Sequence, residues 1–500
     1  MSISYENHVS STPRWGDIGN GFYCNPVLNA DFSDPDIIRV EEDFYMVCSD
    51  FHYMGMPVLH SKDLVNWSII GRVYERLDID WRYNNMEAYG KGSWAPAIRH
   101  QNGLFYVYFC TPDEGLYMTS SEKPEGPWAP LHEVKRVQGW EDPCPFWDED
   151  GNAYLGHSTW GAGPIIIHKM STDGKELLDD GVIVYVGKIA EGTKLYKRNG
   201  YYYLIIPEGG VAQGWQAVLR SKNIYGPYER KVVLQQGATN INGPHQGGLV
   251  ELESGESWFM HFQDVGTLGR VCHLQPVQWI EDWPLMGVEG EPVSIYNKPN
   301  VGKIYPICVP KTCDEFNEHN LGLQWQWNHN PVNEKWSLTE RPGYLRLKAM
   351  KAEDMLHAKN TITQKLIGNS ETIITELSIE NMKNGQVAGL TYLAGTMENW
   401  IGVVKSEAGY SIKAITAGIS FNGPKVQCDT VWFKTVLDLL GVTKFFFSVD
   451  GSNFMQLGVE CKLSAGFWKG ARIGLFSFNN TCHNGYADFN WFRYIHEGPS

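Results

Sequence analysis

A strand, a tight polar turn and an aromatic second strand recur along the first ~290 residues, and this repeat narrows the available folds more than any other feature. The clearest copy runs from Ala190 to Leu204, where Lys194-Leu195-Tyr196-Lys197-Arg198 meets Asn199-Gly200 and continues as Tyr201-Tyr202-Tyr203-Leu204. Asn-Gly between two such runs is the signature of a β-hairpin. Equivalent turns are Gln101-Asn102-Gly103, Glu149-Asp150-Gly151 and Glu253-Ser254-Gly255, so the four turn glycines are 48, 49 and 55 residues apart. A weaker unit, Glu42 to Cys48, precedes them. Five hairpin units at a period near 50 predict a propeller.

The outer parts of the units also match. Ser61 to Trp67, Ser121 to Trp128 and Ser221 to Tyr228 each set a polar turn before an aromatic. The segments that open the units are Asp34-Pro35-Asp36, Trp94-Ala95-Pro96, Asp142-Pro143-Cys144 and Glu191-Gly192-Thr193. They are expected to start the innermost strands and so to crowd around one axis.

With 500 residues the chain is too long for a single core. The repeat stops after Asp282-Trp283-Pro284, and Lys303 to Pro310 reads as an extended connection, which puts the domain boundary near residue 305. Residues 1–305 are then the propeller and 306–500 a second domain. Alternating runs there, such as Tyr344 to Lys348, Thr372 to Leu377 and Val387 to Tyr392, predict a β-sandwich.

Several function classes are excluded. A net charge of -15 with no cluster of Lys and Arg argues against nucleic acid, whose binding requires displaced counterions. The ten cysteines are scattered without a Cys-x-x-Cys pair, so they read as reduced thiols, not as a zinc site or a disulfide framework. Met1 to Asn20 lacks both a basic start and an apolar stretch, and no later segment has the length of a membrane span. A soluble, cytoplasmic enzyme is the expectation, with self-association left open.

Three of the unit-opening segments carry carboxylates: Asp34, Asp142 and Glu191. Each alone has a simple explanation, since Asp before Pro forms turns and Glu before Gly ends strands. Their equivalent places in the repeat would bring all three to one water-filled mouth, where they repel one another. Such a cluster suits glycoside hydrolysis, in which one carboxyl holds a proton for the leaving oxygen and another is ionised to activate water. A third raises the acid's proton affinity and holds it in place.

Asn25-Pro26-Val27-Leu28 before Ser33-Asp34-Pro35-Asp36, with Ser93-Trp94-Ala95-Pro96, Glu141-Asp142-Pro143, Ala190-Glu191-Gly192-Thr193-Lys194 and Gly269-Arg270, resembles glycoside hydrolase family 43. Leu321 to His329, Arg341 to Leu345 and Gly485 to Phe489 resemble the concanavalin-like sandwich of its β-xylosidase and α-L-arabinofuranosidase branch. The resemblance implies an all-β chain, a five-bladed β-propeller followed by that sandwich. It implies an inverting hydrolase that releases terminal β-D-xylose, α-L-arabinofuranose or both from xylo-oligosaccharides or arabinoxylan fragments, with xylosides preferred. Asp34 would be the general base, Asp142 the residue that tunes and orients the acid, and Glu191 the general acid. Asp36 stands where many relatives have Ser. Arg270 would bind sugar hydroxyls. His245 would lie on the axis beneath the pocket, touching a calcium ion or a water, although a lone histidine is commonly structural and calcium prefers oxygen. No cofactor is required.

Trp94 is the first stacking candidate, with Trp160 and Trp215 as further candidates that read equally as packing residues. Phe478, ahead of the turn-like Asn479 to Gly485, is the candidate aromatic through which the sandwich would close the pocket to internal chain positions; otherwise the sandwich only shields the propeller. Two alternatives stand beside the hydrolase: a sugar-binding propeller without catalysis, and a retaining glycosidase.

Overall fold

The computed structural model describes residues 14–466 and 468–499, so residues 1–13, on which the leader reading partly rests, lie outside the described residues. The all-β expectation holds: apart from three 3-10 turns of three residues each, every regular element among the described residues is a strand. No helix among them is long and apolar enough to cross a membrane.

Five four-stranded antiparallel sheets follow one another, each running strand by strand without a crossover. Their first strands are Asp36–Val40, Trp94–Gln101, Trp140–Trp147, Lys194–Arg198 and His245–Glu251. The first four lie side by side in chain order, and the fifth returns beside the first. The hairpin turns fall where the polar pairs predict them. Asn102 and Gly103 have φ of 51° and 79°, and Asn199 and Gly200 have 50° and 70°, the left-handed pairs that a two-residue hairpin requires. A small sheet of Gly16–Asp17, Phe22–Cys24 and Ile295–Asn297 joins the start of this part to its end.

The chain from residue 326 onward forms two eight-stranded sheets. Strand Glu371–Ser378 alternates buried and half-buried positions, as a strand with one covered face should. Strand Arg472–Asn479 is buried along its whole length. Its neighbour Gln386–Ala394 is too, and Ala352, Met355 and Ala358 pack with residues from these strands.

The two parts share one continuous apolar core, in which Phe32, Met54 and Leu77 belong to the same cluster as Trp325, Trp327 and Ile367. Bridges pair Ala30 with Ile367 and Tyr53 with Asn328. The fully buried Asp50 of the first part meets Arg472 at 3.0 Å and Lys365 at 3.1 Å, both from the second. All ten cysteines are unpaired.

Candidate active site

At the opening of every first strand the backbone turns through a left-handed residue. Asp34, Ala95, Asp142, Gly192 and Gln246 have φ of 53°, 37°, 56°, 63° and 33°. Four of these are not glycine, and each such residue costs on the order of 1–3 kcal/mol unless its surroundings fix it. The kink breaks the hairpin register at Trp94/Ala97, Glu141/Cys144 and His245/Gly247, which re-aims side chains away from the sheet. The residues before the kink are Ser33, Trp94, Glu141, Glu191 and His245.

The pocket these kinks surround has a volume of about 340 Å³, at the small end of ligand clefts. Asp34, Trp94, Glu141, Asp142, Trp160, Glu191, His245, Gln246 and Arg270 line it. Asp34 accepts from Arg270 Nη1 at 2.7 Å and from the hydroxyls of Ser49 and Ser33 at 2.6 and 3.2 Å. Asp142 is closely held: Oδ2 accepts from the Ser158 hydroxyl at 2.9 Å and from the Gly192 N–H at 2.7 Å, and Oδ1 accepts from Gln246 Nε2 at 2.9 Å. Burial, followed by the charge of Glu191, raises the Asp142 carboxyl above the usual range. One oxygen each of Glu141, Asp142 and Glu191 lie within 4.8 Å of one another.

Asp36, the neighbour that competes with Asp34 in the sequence, does not reach the pocket. It is fully buried, bound to Arg99 Nη1 at 2.6 Å and to the Ile98 N–H at 2.8 Å.

The structure brings Trp94 and Trp160 together as an edge-to-face pair with centroids 6.1 Å apart. Trp94 donates to the Gly90 carbonyl at 2.7 Å, while Trp160 is 57% exposed. Arg270 reaches Asp34 from the start of strand Arg270–Ile280, its guanidinium over the ring of Phe262.

Two expected residues fall elsewhere. Trp215 opens the third strand of its sheet, away from the axis, and donates to Glu208 at 3.0 Å. Phe478 is not a pocket residue: it is buried in the second part against Phe476, because its strand is covered on both faces. The aromatic that the second part does bring to the pocket is Trp468, which the sequence reading missed. It is half exposed, has a φ of 61°, and its ring lies 5.7 Å from the Arg270 guanidinium carbon. The neighbouring Gly470 abuts Gly269, directly before Arg270. No local pattern marks Trp468, since only the packing of the two parts delivers it. Glu141 was passed over because its neighbour Asp142 carries the motif.

His245 is a buried residue of the pocket lining, with Nε2 3.2 Å from Glu191 Oε1 and neither ring nitrogen hydrogen-bonded among the described residues. One imidazole and one carboxylate oxygen fall well short of the six to eight oxygens that calcium takes, so these residues do not fit that ion.

Family models match two stretches of the chain: glycosyl hydrolases family 43 over residues 23–284, and the beta xylosidase C-terminal concanavalin A-like domain over residues 313–495. A Xylanibacter ruminicola protein bearing a beta-xylosidase name is 52% identical over 93% of this chain and 88% of its own. A non-reducing end alpha-L-arabinofuranosidase of Bacteroides ovatus is 28% identical over 94% of each chain. The crystal structure of a family 43 protein from Bacillus licheniformis superposes with a TM-score of 0.84 at 29% identity, covering 95% of this chain and all of that one.

Proposed function

The chain belongs to glycosyl hydrolases family 43 and is a glycosidase, and on that premise we propose that it removes terminal β-D-xylose from xylo-oligosaccharides, with α-L-arabinofuranose as a second glycone. The observation that carries this reading is the pocket itself, in which Asp34 on its guanidinium, the anchored Asp142 and the partly exposed Glu191 meet beside a pair of tryptophans. We read the five sheets as blades of a five-bladed propeller over residues 1–305, supported by the five equivalent kinks, and residues 306–500 as the concanavalin-like sandwich.

In this reading Asp34 is the general base. Its three donors fix the carboxylate against one wall, where it takes a proton from water attacking the anomeric carbon. Glu191 is the general acid; its side chain is 21% exposed and so reaches the leaving oxygen at the pocket mouth. Asp142, fixed by hydrogen bonds from Gly192 and Gln246, holds the residue after Glu191 by its N–H and so positions the acid. No cofactor enters these steps. Trp468 closes the side of the pocket facing the second part, which favours chain ends over internal positions. Unpaired thiols favour a reducing compartment, in keeping with a cytoplasmic enzyme.

Proton NMR of the first product from xylobiose tests the mechanism. α-Xylose as the initial anomer is expected of single displacement, and β-xylose would overturn it. Release of oligomers from xylohexaose before xylose would overturn the terminal mode of action.

A further inference from the structure

Aligned on their left-handed residues, the five sheet openings put Glu141 of the third sheet where Glu191 stands in the fourth. Both directly precede a left-handed residue, and both line the pocket. Glu141 is 7% exposed, yet only one of its oxygens is bound: Oε1 accepts the Ala162 N–H at 3.3 Å, a long contact. Oε2 has no hydrogen-bond partner among the described residues and is not sealed off from the pocket.

The pocket therefore holds four carboxyls, not three, and its one guanidinium is already engaged by Asp34. The other three bring oxygens within 4.8 Å of one another, and Arg270, bound to Asp34, is the one lysine or arginine among the lining residues. Like charges this close in a partly desolvated pocket strongly disfavour each other's ionisation. The three cannot all be ionised at neutral pH without a large cost. Asp142 has three good donors that stabilise its charge, whereas Glu141 has one poor one and little water. Of Glu141 and Asp142, Glu141 is thus the one that keeps its proton, and a neutral carboxyl with a free oxygen in a pocket is a hydrogen-bond donor.

We propose that Glu141 is a substrate-positioning residue that donates its proton in a hydrogen bond to a hydroxyl of the terminal pentose, on the side of the pocket formed by Trp160 to Ala162. The inference rests on the pentosidase reading. Burial first, then the charges of Asp142 and Glu191, raise the Glu141 carboxyl to about 9. The other groups that face this side are Asp34, Arg270, His245 and Cys110; burial pushes the Cys110 thiol well up, which keeps it neutral.

The test compares Glu141→Leu, which has no donor, with Glu141→Gln, which keeps an N–H and the same shape, on 4-nitrophenyl β-D-xylopyranoside. It also titrates D-xylose into the Glu191→Gln enzyme, alone and combined with each variant, by calorimetry between pH 7 and 10. Glu141→Leu should raise KM and the xylose Kd about 5- to 100-fold, the range for leaving a buried partner unsatisfied. Glu141→Gln should stay within about threefold of its parent, because a donor remains. With Glu141 present, xylose binding should weaken about tenfold per pH unit above 9 as the donor ionises, and Glu141→Gln should abolish that dependence. Xylose affinity in Glu141→Leu equal to that of its parent would overturn the proposal. So would a drop of one pH unit or more in the alkaline limb of kcat/KM in Glu141→Gln, because it would show that Glu141 is charged in the working enzyme. If Glu141→Leu fails to fold, the pH dependence with and without Glu141→Gln decides alone. Should the parent bind no pentose and hydrolyse no pentoside, the pentosidase reading falls and this assignment with it; retained parental activity with an indifferent Glu141 overturns this assignment only.

Discussion

Glu191 and Asp34 carry opposite halves of the proposed displacement, and substrates with different leaving groups separate them. Glu191→Gln should lower kcat/KM on xylobiose about 10²–10⁴-fold, the usual contribution of a general acid, while an aryl xyloside with a weakly basic leaving group loses far less. Asp34→Asn should depress both substrates alike, because activation of water is required whatever departs. Steady-state kinetics on the two substrates reads the pattern, and equal losses on both in Glu191→Gln would reassign that residue. The same residue-by-residue view explains why Asp36 is not proposed as the base: Asp34 sits at the left-handed kink ahead of strand Asp36–Val40 and lines the pocket, whereas Asp36, inside the strand, is fully buried and paired with Arg99.

The elements that deliver the site meet at close quarters where the segment 268–270 passes 468–470. A Cβ on Gly269 would lie 2.4 Å from the Gly470 nitrogen and 2.5 Å from Asp31 Oδ1, and the residue has a φ of 84°. Gly269→Ala therefore meets both a forbidden conformation and a clash, and should destabilise by more than about 1 kcal/mol. Relief of the clash moves Arg270, whose N–H is held by the same Asp31 oxygen at 3.0 Å. Urea denaturation and KM for the aryl xyloside should both worsen; unchanged values for both would mean that the two segments yield without consequence.

Across the whole molecule, the seam between the two parts carries charge as well as apolar surface. Lys469, buried, contacts His52 Nδ1 of the first part at 2.8 Å and lies among His329, Asp31, Asp50 and Arg472. Burial first, then the Arg472 charge, lowers its ammonium to about 7, from an ordinary value of 10.5. Between those values the unfolded chain binds a proton that the folded one does not, so this group makes stability rise with pH from about 7 to 10.5. Lys469→Met should accordingly show its greatest stability relative to the parent near pH 7 and lose that advantage as the pH rises. Denaturation midpoints across the window measure the difference, and parallel curves would sink the assignment.

The repeat, the turns and the carboxylates were legible in the sequence because each rests on local rules. Asn-Gly pairs dictate hairpins, alternation dictates a covered face, and a fixed period brings Asp34, Asp142 and Glu191 to the openings of their sheets, although the structure sets Asp34 and Asp142 at the kink and Glu191 one residue before it. The backbone kink that makes those points converge was not legible, since left-handed conformations at Asp34, Ala95 and Gln246 are imposed by surrounding structure against their own preference. The aromatic at the junction was beyond the sequence for a related reason. Phe478 and Trp468 stand ten residues apart in the same sandwich, and burial on both faces of a central strand claims one while a tight inter-part contact turns the other toward the pocket. Local patterning determined which elements form and which carboxylates open them; only packing between distant segments decided which side chains line the pocket.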